Sequence, residues 1–463
     1  MNAPLAPGFV NGDVSYWYRA TGVPDPGAPL GGNIRADVAI VGAGYTGLWT
    51  AYYLKKADPA LRIVVLEKEF AGFGASGRNG GWLAGLLPGS ARRYAKDHGQ
   101  QAAIRFQREM FGAVDEVIRV AATEGIDAGI VKGGLLNVAR TPAQAARLRA
   151  EIVDQRAWGW TPGDVDLLGT REMTARIRVA GAVAASWSPH CARVQPAELA
   201  RGLARAVRDL GVEIYERTPV TEIARGRAVT PGGTVEAGLV LRCTEGFTAD
   251  VAGHHRDWLP MNSSMIVTEP LDDWDEIGWD GRELLGDTAH YYMYAQRTAD
   301  DRIAFGGRGR PYLYASRLDD RGHTHDWTVD ALWHLLTTFF PAAKQAKVAH
   351  AWSGVLGVPR DWCATVSLDR ATGLGWAGGY TGHGVAAANL AGRTLADLAL
   401  GRDSDLTTLP WVDRRVRRWE PEPLRWLGVH AMYRLYRLAD AREATGTPRT
   451  SVLARIADMI TGH

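Results

Sequence analysis

Cysteine is nearly missing from this chain: Cys191, Cys243 and Cys363 are the only ones in 463 residues, widely spaced and in no CxxC pair. An odd, scattered set excludes a disulfide-stapled scaffold and a cysteine zinc site, and fits reduced thiols in a cytoplasm, the expected location. Excess charge is also lacking. Lys and Arg number 53 against 51 Asp and Glu, a formal +2, so no electrostatic bias points to nucleic acid or an anionic membrane as a partner. No apolar run approaches the roughly 18–20 residues of a membrane-spanning helix, and Met1–Val10 lacks the basic and apolar stretches of a secretory signal. Internal repeats and low-complexity tracts are absent too. What remains, 46% hydrophobic and 22% charged residues, is globular composition in a length that calls for two or three domains.

The strongest positive signal lies near the N-terminus, after a Pro/Gly/Asn-rich stretch over residues 1–33 that reads as an irregular arm. Ala36–Val41 is a β-branched strand, Gly42-Ala43-Gly44-Tyr45-Thr46-Gly47 a glycine turn, Leu48–Leu54 an apolar helix, and Ile63–Leu66 a second strand ending at Glu67. This order is that of a dinucleotide-binding βαβ unit. Gly42 permits the tight turn, Gly44 lets backbone approach a pyrophosphate, Gly47 lets helix pack on strand, and the helix N-terminus offers N–H groups to phosphate. Glu67, twenty residues beyond Gly47, can accept bonds from ribose hydroxyls, with Lys68 beside it. A second small-residue loop follows, Gly72-Phe73-Gly74-Ala75-Ser76-Gly77-Arg78-Asn79-Gly80-Gly81. NAD has no need of it, whereas the ribityl chain and ring of FAD extend past the pyrophosphate and need backbone close by. FAD is therefore the expected cofactor. The middle of the chain alternates helices (93–125, 141–155, 196–210) with strands (212–215, 239–241), and 261–313 has an antiparallel texture.

These motifs resemble the FAD-dependent D-amino-acid oxidase superfamily, and within it the gamma-glutamylputrescine oxidase-like amine oxidases. The resemblance extends through His190–Pro196, Asp301–Gly309 and Trp376–Val385, and spans roughly residues 15–420. It implies an α/β fold (α+β overall): a Rossmann-type FAD-binding domain built from 34–95, 165–260 and 350–410, a mainly antiparallel substrate domain inserted as 96–164 and 261–349, and a helical tail over 411–463. It also implies further cofactor contacts from the backbone of Val220, from Gly354, and from Gly382, His383, Gly384, Val385 and Ala386 at the start of a helix whose positive end faces the flavin. The activity implied is oxidation of an amine to an imine that hydrolyses, with oxygen as acceptor and hydrogen peroxide as product.

His383, Tyr292 and Tyr294 are the candidates for handling the substrate's proton, with His383 equally readable as packing. Trp352 and Tyr380 could bind an amine by their ring faces, and Arg297 or Arg308 could clamp a carboxylate, although surface ion pairing suits both better. Two departures from the family bear on substrate and oxidant. Sarcosine oxidases bind the substrate carboxylate with a lysine where this chain has Ala386. They place a second lysine beside the flavin where it has Ala304, and no lysine occurs between Lys132 and Lys344. Cys363 lies near the position of the cysteine that tethers flavin in some members but out of register, so non-covalent FAD is expected. Three alternatives stay open: a dehydrogenase passing electrons to a quinone or protein carrier, a D- or N-alkyl amino-acid oxidase, and a non-catalytic flavoprotein. Oligomeric state is not legible.

Overall fold

The computed structural model describes residues 2–307, 309–318, 321–446 and 449–461. Among these residues the strands form an eight-stranded sheet, a nine-stranded sheet and a two-stranded ribbon. The first sheet grows from the βαβ unit. Ile34–Val41 runs parallel to Ile63–Leu66 on one side and to Gly233–Arg242 on the other, with Val38 opposite Ile63 and Ile40 opposite Leu241. Leu374–Gly378 joins Gly233–Arg242 in parallel, and Glu213–Tyr215 joins Ile63–Leu66. The near-continuous apolar run of Val38–Val41, buried throughout, is what a parallel strand covered on both faces requires. Val38 and Ile40 are covered by the helices Tyr45–Ala57 and Gly384–Leu400, which meet so closely that a Cβ on Gly392 would lie 2.6 Å from Trp49 Cβ, while Ala39 and Val41 pack on the other face with Leu30, Ala228 and Val235.

The second sheet is mixed and mostly antiparallel, in the order 5–11, 348–359, 258–268, 303–307, 293–297, 284–287, 135–139, 184–188, 166–168. Its spine is the long pair Trp258–Thr268 and Val348–Pro359, with Met265 opposite Trp352, Ser263 opposite Gly354 and Met261 opposite Leu356. Residues 166–168, 184–188 and 350–359, assigned from sequence to the nucleotide unit, are thus hydrogen-bonded into this other sheet. Their ladder partners lie far away in sequence, which local patterning cannot reveal.

The arm expected over residues 1–33 is also more ordered than its composition suggests. Leu5–Asn11 is an edge strand parallel to Val348–Pro359. Tyr16–Thr21 is a short helix capped by Ser15, with Tyr16, Trp17 and Tyr18 buried. Three aromatic rings outweigh the turn-forming residues around them, because each buries a large apolar area. The arm grips the glycine loop: Ser15 Oγ donates to Gly77 O (2.7 Å) and Trp17 Nε1 to Asn79 O (2.8 Å). In the tail, helices Leu424–Glu443 and Val452–Thr461 follow an irregular stretch, and Val429 and Tyr433 pack with Leu259, Met261 and Val358 on the nine-stranded sheet. No helix among the described residues is long and apolar enough to cross a membrane.

Candidate active site

The glycine turn is built as its spacing demands. Gly42 has φ 103°, and a Cβ there would lie 2.6 Å from the Cys243 carbonyl oxygen, so only glycine fits. A Cβ on Gly47 would overlap the Gly42 carbonyl, whereas one on Gly44 would meet only Ser76 Oγ, at 3.0 Å. Gly44 is the N-cap of helix Tyr45–Ala57, and the side chain it omits leaves a cradle at the positive end of that helix. Glu67 closes the cradle's far side. Its Oε2 accepts from Ala43 N (2.8 Å) and its Oε1 from Glu69 N (3.0 Å). Burial pushes its carboxyl up to about 7, against the two backbone donors that hold it down.

A cleft runs from this cradle along the junction of the two sheets. Its wall includes Gly42, Gly44, Tyr45, Thr46, Glu67, Lys68, Gly74, Ala75, Ser76, Asn79, Val220, Cys243, Glu245, Leu356, Tyr380, Gly382, Gly384 and Val385. The expected cofactor residues thus divide into two groups. Those just named face the cleft. Ala43, Gly47, Gly77, Arg78, Gly80, Gly354 and Ala386 stand behind it and shape it. Arg78 donates to Phe73 O (2.8 Å) with its guanidinium over the Phe73 ring. Gly354 lets the strand pass against Arg78, Gly80 lies under the Tyr294 ring, and Ala386 is fully buried among the helices. The two loops are stitched by Ser76 Oγ, which accepts from Tyr45 N (2.8 Å), and Asn79 closes the second loop by donating to Ser76 O (2.9 Å) and accepting from Gly81 N (2.8 Å).

Several candidate substrate-side residues are engaged away from the cleft. Trp352 is fully buried and donates to Arg78 O (2.8 Å), so it supports the loop and has no face left for a substrate. Arg297 is turned away, bonded to Asp301 (2.8 Å) and Asp280 (3.1 Å) and stacked on Trp274. Two carboxylates compensate it where a clamp would need an open guanidinium. Arg308 lies outside the described residues. Tyr292 is exposed at the rim of a separate cavity under the tail helix. Tyr294 is packed over Gly80, with its hydroxyl 2.7 Å from Ser263 Oγ. Burial raises its pKa well above the ordinary tyrosine value, so it remains a protonated hydrogen-bonding group.

Tyr380 is a buried wall of the cleft, its hydroxyl 2.9 Å from Thr46 Oγ1. His383 is the N-cap of helix Gly384–Leu400. Its neighbours Gly382 and Gly384 line the cleft while its own ring does not. Burial lowers its pKa to about 4, so the imidazole is neutral and a poor acceptor of an alkylammonium proton. Cys243 is buried on the cleft wall, its thiol pushed up to about 12, too high for a nucleophile at neutral pH. Cys363 Sγ accepts from Ser90 N (3.4 Å) beside Gly89, away from the cleft, which agrees with flavin held without a covalent bond.

Sequence reasoning did not single out Glu245. Its carboxylate reaches across both sheets, accepting from Gly357 N (3.2 Å) and Gly379 N (2.8 Å), and burial pushes it up to about 7. A lone acid among small residues at a strand end, Thr244-Glu245-Gly246, was the available signal.

A Rossmann unit whose cleft continues past the pyrophosphate cradle, under a glycine loop and onto a second sheet, defines a flavin-dependent oxidoreductase. The donors and the space suit FAD: a side-chain-free cradle at a helix N-terminus, a fixed carboxylate for ribose, and backbone-lined room beyond. The chain belongs to the DAO family of FAD-dependent oxidoreductases, whose family profile matches residues 37–398. It is 28% identical over 423 residues to the probable oxidoreductase OrdL of Rhizobium meliloti (strain 1021), covering 88% of this chain and 92% of that one. It is 29% identical over 401 residues to the gamma-glutamylputrescine oxidoreductase of Escherichia coli (strain K12), covering 84% and 89%. Among solved structures, glycine oxidase from Geobacillus kaustophilus superposes with a TM-score of 0.69 at 23% identity, over 82% of this chain and 99% of that one, which shows the shared fold.

Proposed function

We propose that this enzyme oxidises the C–N bond of an amine that carries no obligatory carboxylate on the reacting carbon, and that dioxygen is the electron acceptor. The observation that carries the substrate class is the electrostatics of the cleft. Among the described residues lining it, Lys68 is the one cation, and it lies 3.8 Å from Asp250 at the ribose end. Positions 386 and 304 are buried alanines. A carboxylate desolvated there would lack a partner, at a cost of several kcal/mol. That the Escherichia coli relative is a gamma-glutamylputrescine oxidoreductase supports an amine of this kind.

FAD, when bound, supplies the hydride acceptor. The chain's own part is positioning and charge. The N-terminus of helix Gly384–Leu400 directs its positive end at the cleft through Gly382 and Gly384, favouring negative charge there. Tyr294, its hydroxyl 2.7 Å from Ser263 Oγ, packs against the glycine loop at Gly80, and Tyr380 and Leu356 give the cleft apolar wall. With His383 unable to hold the proton, the amine enters neutral. The expected kcat/KM therefore rises with pH, about tenfold per unit until the free amine's own pKa (about 10 for an alkyl amine), with no histidine inflection; an inflection near 7 would belong to the buried carboxyls Glu67 or Glu245. A histidine inflection that disappears in His383→Asn would overturn this.

The test of the function is anaerobic mixing of the yellow holoenzyme with polyamines, N-methyl amino acids, D-amino acids and cyclic amines. Bleaching of the flavin by amines, followed by rapid recovery of colour in air, is the expected result. Bleaching by none of them would reject amine oxidation. Bleaching without recovery in air would establish the dehydrogenase reading, which the buried Ala304 in place of a lysine favours.

A further inference from the structure

The spine of the nine-stranded sheet carries the flavin cleft on one face, and that face does not end with the cleft. Residues two apart on a strand share a face, so Trp352, Gly354 and Leu356 look the same way, as do their partners Met265, Ser263 and Met261. Trp352 and Gly354 hold the flavin loop through Arg78, Ser263 holds Tyr294 over Gly80, and Leu356 lines the cleft. One step across the ladder, Met261 lines a second cavity of about 360 Å3. Leu356 and Met261 sit in one apolar cluster with Trp362 and Tyr433, so the two spaces adjoin at this pair of side chains.

The outer wall of this cavity is the tail helix Leu424–Glu443, which presents Leu424, Gly428, Met432 and Tyr436 at i, i+4 spacing. That helix lies beyond the family match, which stops at residue 398. It is fixed to the substrate sheet: Asp440 accepts from His290 N (3.0 Å) and Tyr291 N (2.7 Å), and Glu443 pairs with Arg147 (2.8 Å). Gly428 is the telling residue. A glycine inside a helix costs about 1 kcal/mol relative to alanine, and a Cβ at this position would have nothing within 4 Å. Packing with the protein's own atoms does not require it. The cavity's charged and titratable side chains are each engaged, Arg360 with Glu420 (3.0 Å), Arg425 with Glu422 (3.1 Å), His290 with Glu443 (3.0 Å) and Asp458 with the Tyr436 hydroxyl (2.9 Å), and aromatic and thioether surface lies between them.

We propose that this cavity is the chamber for the apolar body of the amine substrate, and that the tail helix sets how large a body is accepted. The chamber takes arylalkyl or long alkyl amines whose nitrogen-bearing carbon reaches past Leu356 to the flavin. This rests on the amine-oxidation reading above, and the experiment separates the two. Gly428 is exposed at the mouth of the chamber, and Gly428→Leu narrows that mouth without a clash. In the FAD-loaded enzyme, kcat/KM for benzylamine and 4-phenylbutylamine should fall by roughly 30-fold or more, the scale on which a hydrophobic pocket discriminates one or two methylenes, with methylamine and flavin content unchanged. Met432→Ala, which enlarges the chamber, should shift preference toward the longer amine. Cumylamine has no hydrogen on the carbon next to nitrogen, so it can bind but not react, and its perturbation of the flavin spectrum should weaken in Gly428→Leu. If no amine bleaches the wild-type flavin but cumylamine binding still responds to Gly428→Leu, the chamber stands and amine oxidation falls. Equal effects on methylamine and the aryl amines, or no effect of either variant on any of them, would overturn the chamber.

Discussion

Gly44→Val is expected to give a folded, colourless protein. Its side chain would enter the cradle at the N-terminus of helix Tyr45–Ala57, where the nearest protein atom to a Cβ is Ser76 Oγ at 3.0 Å. The fold has little to lose there, and the pyrophosphate loses its seat. Each charge-assisted hydrogen bond forfeited contributes roughly 1.5–3 kcal/mol, so FAD affinity should fall by about 100-fold or more, read from flavin absorbance and titration of the apoprotein. Gly47→Val is the contrasting variant. There the new side chain meets the Gly42 carbonyl and Ile40, so stability itself should drop, by roughly 3 kcal/mol or more. A full flavin spectrum in Gly44→Val would show that the cradle is not the phosphate site.

The second large effect concerns substrate charge. For matched amines with and without a carboxylate on the reacting carbon, kcat/KM is expected to favour the uncharged body. A preference of 100-fold or more for the acid, about 2.7 kcal/mol, would reject this. The route by which it could fail is specific. Arg360 and Arg425 line the cavity beyond Leu356, paired with Glu420 and Glu422, and a carboxylate displacing Glu420 would gain a guanidinium. Loss of the acid preference in Arg360→Ala would identify that exchange, whereas Arg297→Ala should be silent, because Asp280 and Asp301 already occupy its guanidinium.

The cofactor was legible because its recognition is local. Strand, Gly42–Gly47 turn, helix, strand and Glu67 lie in one stretch of chain, and the steric demands of phosphate and ribose act on backbone positions fixed by that spacing. The loop Gly74–Gly81 follows directly, so the sequence alone also distinguished FAD from NAD. The absence of lysine from the middle of the chain and the alanines at 304 and 386 were equally plain, since an absent charge cannot be supplied by folding.

Which side chains face the cleft was not legible, because strand neighbours, and hence faces, are set by partners far away in sequence. Trp352 and Tyr380 read alike as aromatic residues near the flavin, yet one is consumed holding Arg78 O and the other lines the wall. Arg297 read as better suited to ion pairing than to a clamp, but its partners, Asp280 and Asp301, were named only by the structure. The arm at residues 5–21 became structure only because Val348–Pro359 offered a free edge and the glycine loop offered carbonyls to Ser15 and Trp17. Composition and spacing therefore determined the nucleotide, the fold class and the missing charges, all of which depend on residues close in the chain. The tertiary structure decided what each aromatic ring and each arginine does, since that depends on which distant carboxylate, carbonyl or glycine packs against it.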